Sequence, residues 1–95
     1  MSTLRRVHVI AAGLVQGVGF RAWTKSEALK HACVGWVRNL PDGRVEAVIE
    51  GASGKLEDLL VQLKVGPPGA RVVGLEVKEL ASKSDEFSSF AILRG

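Results

Sequence analysis

The sequence contains a single cysteine, Cys33, so no internal disulfide can staple the chain, in keeping with a reducing compartment. Histidine is also scarce. His8 and His31 do not stand at metal-ligand spacing with Cys33, and His31 and Cys33 on one helix would point about 200° apart. No metal is expected, and Cys33 reads as an apolar filler. Long apolar runs are missing. VHVIAAGLV spans nine residues, against the roughly 20 that a helical membrane span needs, and no small-residue cleavage site marks a signal peptide. A cytoplasmic location is expected, with no membrane partner. There is no basic run beyond Arg5-Arg6, although 13 Lys and Arg outnumber 10 Asp and Glu. A net charge of +3 and a pI near 9.4 therefore suit an anionic ligand and not a nucleic acid. Low-complexity tracts and internal repeats are absent too. With 46% hydrophobic and 24% charged residues, the chain can bury a core. At 95 residues it fits one domain over 1–95, with a small stability margin.

Alternation and turn signals lay out what is present. Residues 5–12 (RRVHVIAA) alternate as a strand, with Val7, Val9 and Ala11 on one face. Residues 20–32 (FRAWTKSEALKHA) are rich in helix formers. Residues 34–39 (VGWVRN) form a second strand, and LPDGR is a turn in which Asp42-Gly43 supplies the positive φ of a tight hairpin. Residues 44–50 (RVEAVIE) make a third strand, with Val45, Ala47 and Ile49 inward. Ser53 fits the N-cap of a second helix, whose Leu56, Leu59, Leu60 and Leu63 form one apolar stripe. Gly66 suits the end of that helix, and Pro67-Pro68 cannot continue it. Residues 71–79 (RVVGLEVKE) read as a fourth strand with Val73, Leu75 and Val77 inward, and FAIL (90–93) as a short terminal strand.

The order β-α-β-β-α-β predicts an α+β fold, the ferredoxin-like split β-α-β sandwich: one antiparallel sheet, order 4-1-3-2, with two helices on one face. Right-handed crossovers make strands 1 and 2 point the same way. The loop after strand 1 and Asn39 at the end of strand 2 then fall together, separated by two strand spacings, about 10 Å. Asn39 shares the face of Val37, and the first turn of helix 1 carries Arg21 over that same face.

The loop itself, GLVQGVGFR (13–21), is poor in side chains. Gly17 and Gly19 open conformations closed to other residues. The helix start adds unpaired N–H groups and a partial positive charge. Amides turned inward over Val15, Gln16, Gly17, Val18, Gly19 and Phe20 would make a phosphate nest. Arg21 would add a planar fork of donors. GVGFRA also matches the G-x-G-x-x-A of dinucleotide sites, but a PDG hairpin and Asn39 stand where that motif needs a parallel βαβ unit and an acidic residue. The G-K-[ST] of a P-loop is absent. From spacing alone, a structural loop beside an incidental surface arginine stays open.

Two segments, GLVQGVGFR (13–21) and GWVRNLPDGRVEAVIEG (35–51), resemble the signatures of the acylphosphatase family. GPPGARV (66–72) and FAI (90–92) resemble its later landmarks in the same order. The resemblance implies a small ferredoxin-like enzyme that hydrolyses the carboxyl-phosphate bond of acyl phosphates. It gives Arg21 and the Val15–Phe20 backbone the phosphate, and Asn39 the attacking water. The chain departs from the family at the exit of helix 1, where His31-Ala32-Cys33 replaces a frequent Leu-Gly-Leu. The chemistry is coherent without a metal or other cofactor. The leaving carboxylate, with a conjugate-acid pKa of roughly 4–5, departs unprotonated, and phosphoryl transfer mainly needs positioning and charge stabilisation. A small monomer is expected, acting on acyl phosphates, with inorganic phosphate or sulfate as competitors.

Other residues read more plainly. Asp42 is a turn residue, Glu46 and Glu50 are expected to be solvated on the open sheet face, and Arg38 and Arg44 to be solvated or to steer anions. Trp23 is expected in the core and Trp36 on the open face. Two rival functions remain. One is a non-catalytic anion- or RNA-binding module, for which His8, Ile10, Glu46 and Val48 make a poor stacking platform. The other is a domain of a larger carbamoyl-transfer enzyme, against which the length of the chain argues.

Overall fold

Val7, Val9 and Ala11 all leave β1 (Leu4–Leu14) on one side and are buried, as are Val45, Ala47 and Ile49 of β3 (Val45–Ala52). That common face is what the two helices cover, because alternate residues of a strand share a side. The computed structural model describes residues 3–82 and 87–94. Its remaining elements are α1 (Phe20–Lys30), β2 (Val34–Asn39), α2 (Ser53–Val65), β4 (Arg71–Leu80) and β5 (Phe90–Ile92). Leu56, Leu59, Leu60 and Leu63 of α2 and Phe20 and Ala28 of α1 close the core over the sheet, together with Val37 and Phe90.

The sheet order is β4-β1-β3-β2-β5. Its first four strands stand in the expected order 4-1-3-2 and pair antiparallel. The fifth corrects the expectation of an antiparallel sheet: β5 runs parallel to β2, with Gly35 opposite Phe90 and Val37 opposite Ile92. The cause is the connection after β4, which leaves one sheet edge and returns at the other. Its described ends touch the open face. Ser82 Oγ donates to Glu50 Oε1 at 3.0 Å, and the Phe87 ring lies 4.6 Å from the Arg6 guanidinium. Arg6 Nε donates to the same Glu50 oxygen at 3.0 Å. Glu50 is therefore not solvated as expected but only 2% exposed and charge-paired.

β4 departs from simple alternation. Ala12 pairs with Gly74, but the next residue, Gly13, pairs with Val72, so Val73 is an extra residue in the ladder. Val73 is 72% exposed, while Val72 and Leu75 pack against the core. Of the three residues expected inward, Val73 is thus outside. Val77 stands opposite Val9 but at the sheet edge, where it is 42% exposed. Gly13, at φ 121°, permits the irregularity, since a Cβ there would lie 2.2 Å from the Arg71 carbonyl oxygen.

Local ends differ from expectation in three places. Ser53 is the first residue of α2 and not its cap. Its N–H donates to the Thr3 carbonyl at 2.9 Å, and the capping position is Ala52. The β2–β3 hairpin closes through Leu40 N–H to Arg44 O at 2.8 Å and Gly43 N–H to Leu40 O at 3.2 Å. Gly43 alone, and not Asp42, takes the positive φ expected of Asp42-Gly43, within a three-residue loop between Leu40 and Arg44. α1 ends at Lys30, two residues before the expected limit. Ala32 then takes φ 54°, and Cys33 N–H bonds the Ala28 carbonyl at 2.8 Å. That left-handed step is the one a glycine would take at a helix exit.

Candidate active site

The loop between β1 and α1 is anchored at both ends by apolar side chains. Val15 is 1% exposed and Phe20 3%. Between them Gly17 and Gly19 take φ 74° and 76°, the left-handed region that favours glycine. A Cβ at either would meet nothing within 4 Å, so torsion and not crowding selects glycine at both. Gly19 is also the N-cap of α1. No side-chain cap bonds the first turn, and no acidic residue stands in it. The positive end of the helix therefore faces the loop uncompensated by a carboxylate.

A cleft of about 240 Å³ opens at this point. Val15, Gln16, Gly17, Gly19, Phe20, Arg21 and Asn39 all line it, so the structure brings together every expected site residue but Val18. Val18 packs, partly buried, against the core. Ala22 and Ile92 complete the lining and were not foreseen. Ile92 arrives because β5 aligns it with Val37, two residues before Asn39, and Leu93 N–H donates to the Val37 carbonyl at 2.8 Å. Its only signal in the sequence was its place in the short FAI segment.

The charges around the cleft are unequal. Arg38 Nε donates to Glu46 at 2.6 Å, and Arg44 Nε to Asp42 at 2.8 Å. Arg44, by its amide and its guanidinium, holds the Asp42 carboxyl below the usual range. Glu46, bonded also by His8 Nε2 at 2.7 Å, is held low by His8 and then by Arg38. Among the described residues, the Arg21 side chain makes no hydrogen bond or ion pair. It is half-buried at the cleft wall and keeps its five donors available. Asn39 carries the complementary feature. Its Oδ1 is buried and, among the described residues, accepts no hydrogen bond, a condition shared only with Thr24 Oγ1. Such an acceptor has a strong physical demand for a donor.

Gln16 is held differently. Its Nε2 donates to Leu40 O at 2.8 Å and to Arg44 O at 3.0 Å, across to the β2–β3 hairpin. Cys33 is buried beside Gly51, and burial pushes its thiol up to about 11. It takes no part in the cleft lining. Among the described residues, no group of three His, Cys, Asp or Glu is placed to hold a metal ion, and no helix is long and apolar enough to cross a membrane.

The family model for acylphosphatase matches residues 7–92, which include the whole cleft lining. The chain belongs to the acylphosphatase family. It is 52% identical over 91 residues to the acylphosphatase of Methylococcus capsulatus, covering 96% of this chain and 98% of that one. Among solved structures it resembles the acylphosphatase of Bacillus subtilis at 37% identity and TM-score 0.89, covering 96% of this chain and 99% of that one. It also resembles an acylphosphatase from Coxiella burnetii at 33% identity and TM-score 0.90, covering 95% and 93%. The acylphosphatase fold thus holds along the chain, including the parallel β5 that the expected antiparallel sheet did not allow for.

Proposed function

We propose that this chain hydrolyses acyl phosphates to a carboxylate and inorganic phosphate, by direct in-line attack of water and without a metal. The carrying observation is the pairing of an unengaged guanidinium, Arg21, with a buried, unsatisfied oxygen, Asn39 Oδ1, on one cleft beside the glycine loop. The amides of Val15 to Phe20 and the Arg21 fork hold the phosphoryl oxygens and stabilise their charge in the transition state. Asn39 Oδ1 accepts a hydrogen bond from the water and so aims the water's lone pair at phosphorus. The new P–O bond forms as the bond to the carboxylate oxygen breaks. The leaving carboxylate needs no proton, and the water proton passes to a phosphoryl oxygen. An acyl phosphate dianion and water thus give a carboxylate and dihydrogen phosphate.

In this reading residues 1–95 act as one domain, a cytoplasmic monomer with phosphate and sulfate as competitive ligands. Nucleic acid is no partner. On the open face Arg6 and Arg38 are tied to Glu50 and Glu46 of β3, the basic groups that a nucleic-acid platform would turn to phosphate. The test is hydrolysis of benzoyl phosphate by the purified protein in excess chelator, with and without inorganic phosphate. Turnover with competitive inhibition is expected. Strict dependence on added metal, or no turnover, would overturn the reading.

A further inference from the structure

The glycine loop follows β1 and Asn39 ends β2, two strands that are not neighbours in the sheet because β3 lies between them. The ladder ties them only through β3, whose Val45 stands opposite Ala11 of β1 on one side and Asn39 on the other. Among the described residues, the only hydrogen bonds joining residues 15–19 to residues 40–44 are the two from Gln16 Nε2, 2.8 Å to Leu40 O and 3.0 Å to Arg44 O. Both protons of that nitrogen are thereby committed. Their acceptors are the two carbonyls that close the hairpin, each already receiving one backbone N–H: Leu40 O from Gly43, and Arg44 O from Leu40. Gln16 therefore fills their second lone pairs and grips the hairpin at its base, one residue past Asn39.

We infer that the Gln16 side chain is a positioning residue, a strut that sets the distance between the phosphate cradle and the Asn39 carboxamide. The inference rests on the roles proposed above for Arg21 and Asn39. Gln16 acts through Asn39 and not on the phosphate, so its loss separates two quantities. Anion binding by the loop and Arg21 persists, while alignment of the attacking water is lost. Displacement of a reacting group by about 1 Å can cost on the order of 10²-fold in rate.

A double-mutant cycle tests this with benzoyl phosphate as substrate and inorganic phosphate as competing ligand. Gln16→Met keeps the length of the side chain and removes both donors. It is expected to lower kcat about 10- to 100-fold while the inhibition constant for phosphate moves less than about threefold. In an Asn39→Ala background the same change is expected to cost less than about threefold, because the group it aligns is gone. Unchanged kcat in Gln16→Met overturns the inference, as does a loss that multiplies in full with that of Asn39→Ala or one matched by lost phosphate binding. If instead Asn39→Ala by itself leaves kcat intact, the proposed function of Asn39 fails first.

Gln16→Glu gives an independent readout should the methionine variant not fold. An ionised carboxylate is repelled by both carbonyls, whereas a neutral one can donate to either. Its activity relative to the parent is expected to rise as pH falls toward and below the carboxyl range, roughly 4–5. A ratio that stays flat with pH overturns the strut.

Discussion

Arg44 is bound to Asp42 twice, through its amide at 3.1 Å and its Nε at 2.8 Å, and this pairing keeps a nearby cation out of competition with Arg21. With Arg38 held by Glu46, the one arginine that lines the cleft, Arg21, has its guanidinium unengaged. Arg21→Ala is expected to lower kcat/KM for an acyl phosphate by at least about 10²-fold, the usual loss for a donor acting on transition-state charge. KM should rise as well, since the same group binds the ground state. Arg21→Lys should recover only part, because an ammonium cannot reproduce the planar fork. Steady-state kinetics of the purified variants check both.

Asn39 should behave differently from Arg21. Its buried Oδ1 meets water in the proposed mechanism and not the phosphate. Asn39→Ala is therefore expected to lower kcat by about 10²–10³-fold with the inhibition constant for inorganic phosphate nearly unchanged. Measuring kcat and phosphate inhibition on the same preparation separates the two quantities. Loss of phosphate affinity in step with kcat would count against the assignment.

Ala32 is the one non-glycine residue with positive φ among the described residues, at 54°, and its side chain is exposed. A left-handed L-residue costs roughly 1–2 kcal/mol, and glycine avoids that at some loss of unfolded-state entropy. Ala32→Gly is expected to stabilise the fold by about 1 kcal/mol, a rise in Tm of roughly 4–8 °C for a domain of this size. Thermal and urea unfolding measure it, and catalysis should be unaffected because Ala32 does not line the cleft.

Glu46 links stability to pH. Its carboxyl is held below the ordinary value of 4.5 by the His8 hydrogen bond and then by Arg38. A carboxylate depressed in the folded state contributes stability that is fully present above its unfolded pKa and lost as pH falls through the folded one. Stability is therefore expected to decline as pH drops below about 4.5. Glu46→Gln should start less stable at neutral pH and show a shallower decline. Urea midpoints at pH 3 to 7 are the measurement, and parallel curves for the two proteins would contradict the assignment.

Much of this architecture was legible because it depends on local pattern. Val7, Val9 and Ala11 alternate, the leucines of α2 repeat at helical spacing, and right-handed crossovers then bring the glycine loop near Asn39. What was hidden depends on partners far along the chain. The exposure of Val73 follows from the register slip opposite Gly13, which no pattern within residues 71–79 records. Glu50 is buried by Arg6 and by Ser82, two residues past β4, and so reads as an ordinary polar residue from its own strand. In the site, Arg21 and the glycines announce an anion by their residue types. Ile92 does not, because its position is set by parallel pairing with β2, and neither does the Gln16 side chain, whose acceptors are main-chain atoms and leave no trace in residue type.

Val15 and Phe20, sealed into the core on either side of Gly17 and Gly19, mean that the loop is ordered when the chain folds and not when a ligand arrives. Its conformational entropy is lost once in the lifetime of a folded molecule instead of once per catalytic cycle. Damage to packing beneath the loop should therefore first weaken the grip on small anions in a protein that is still folded.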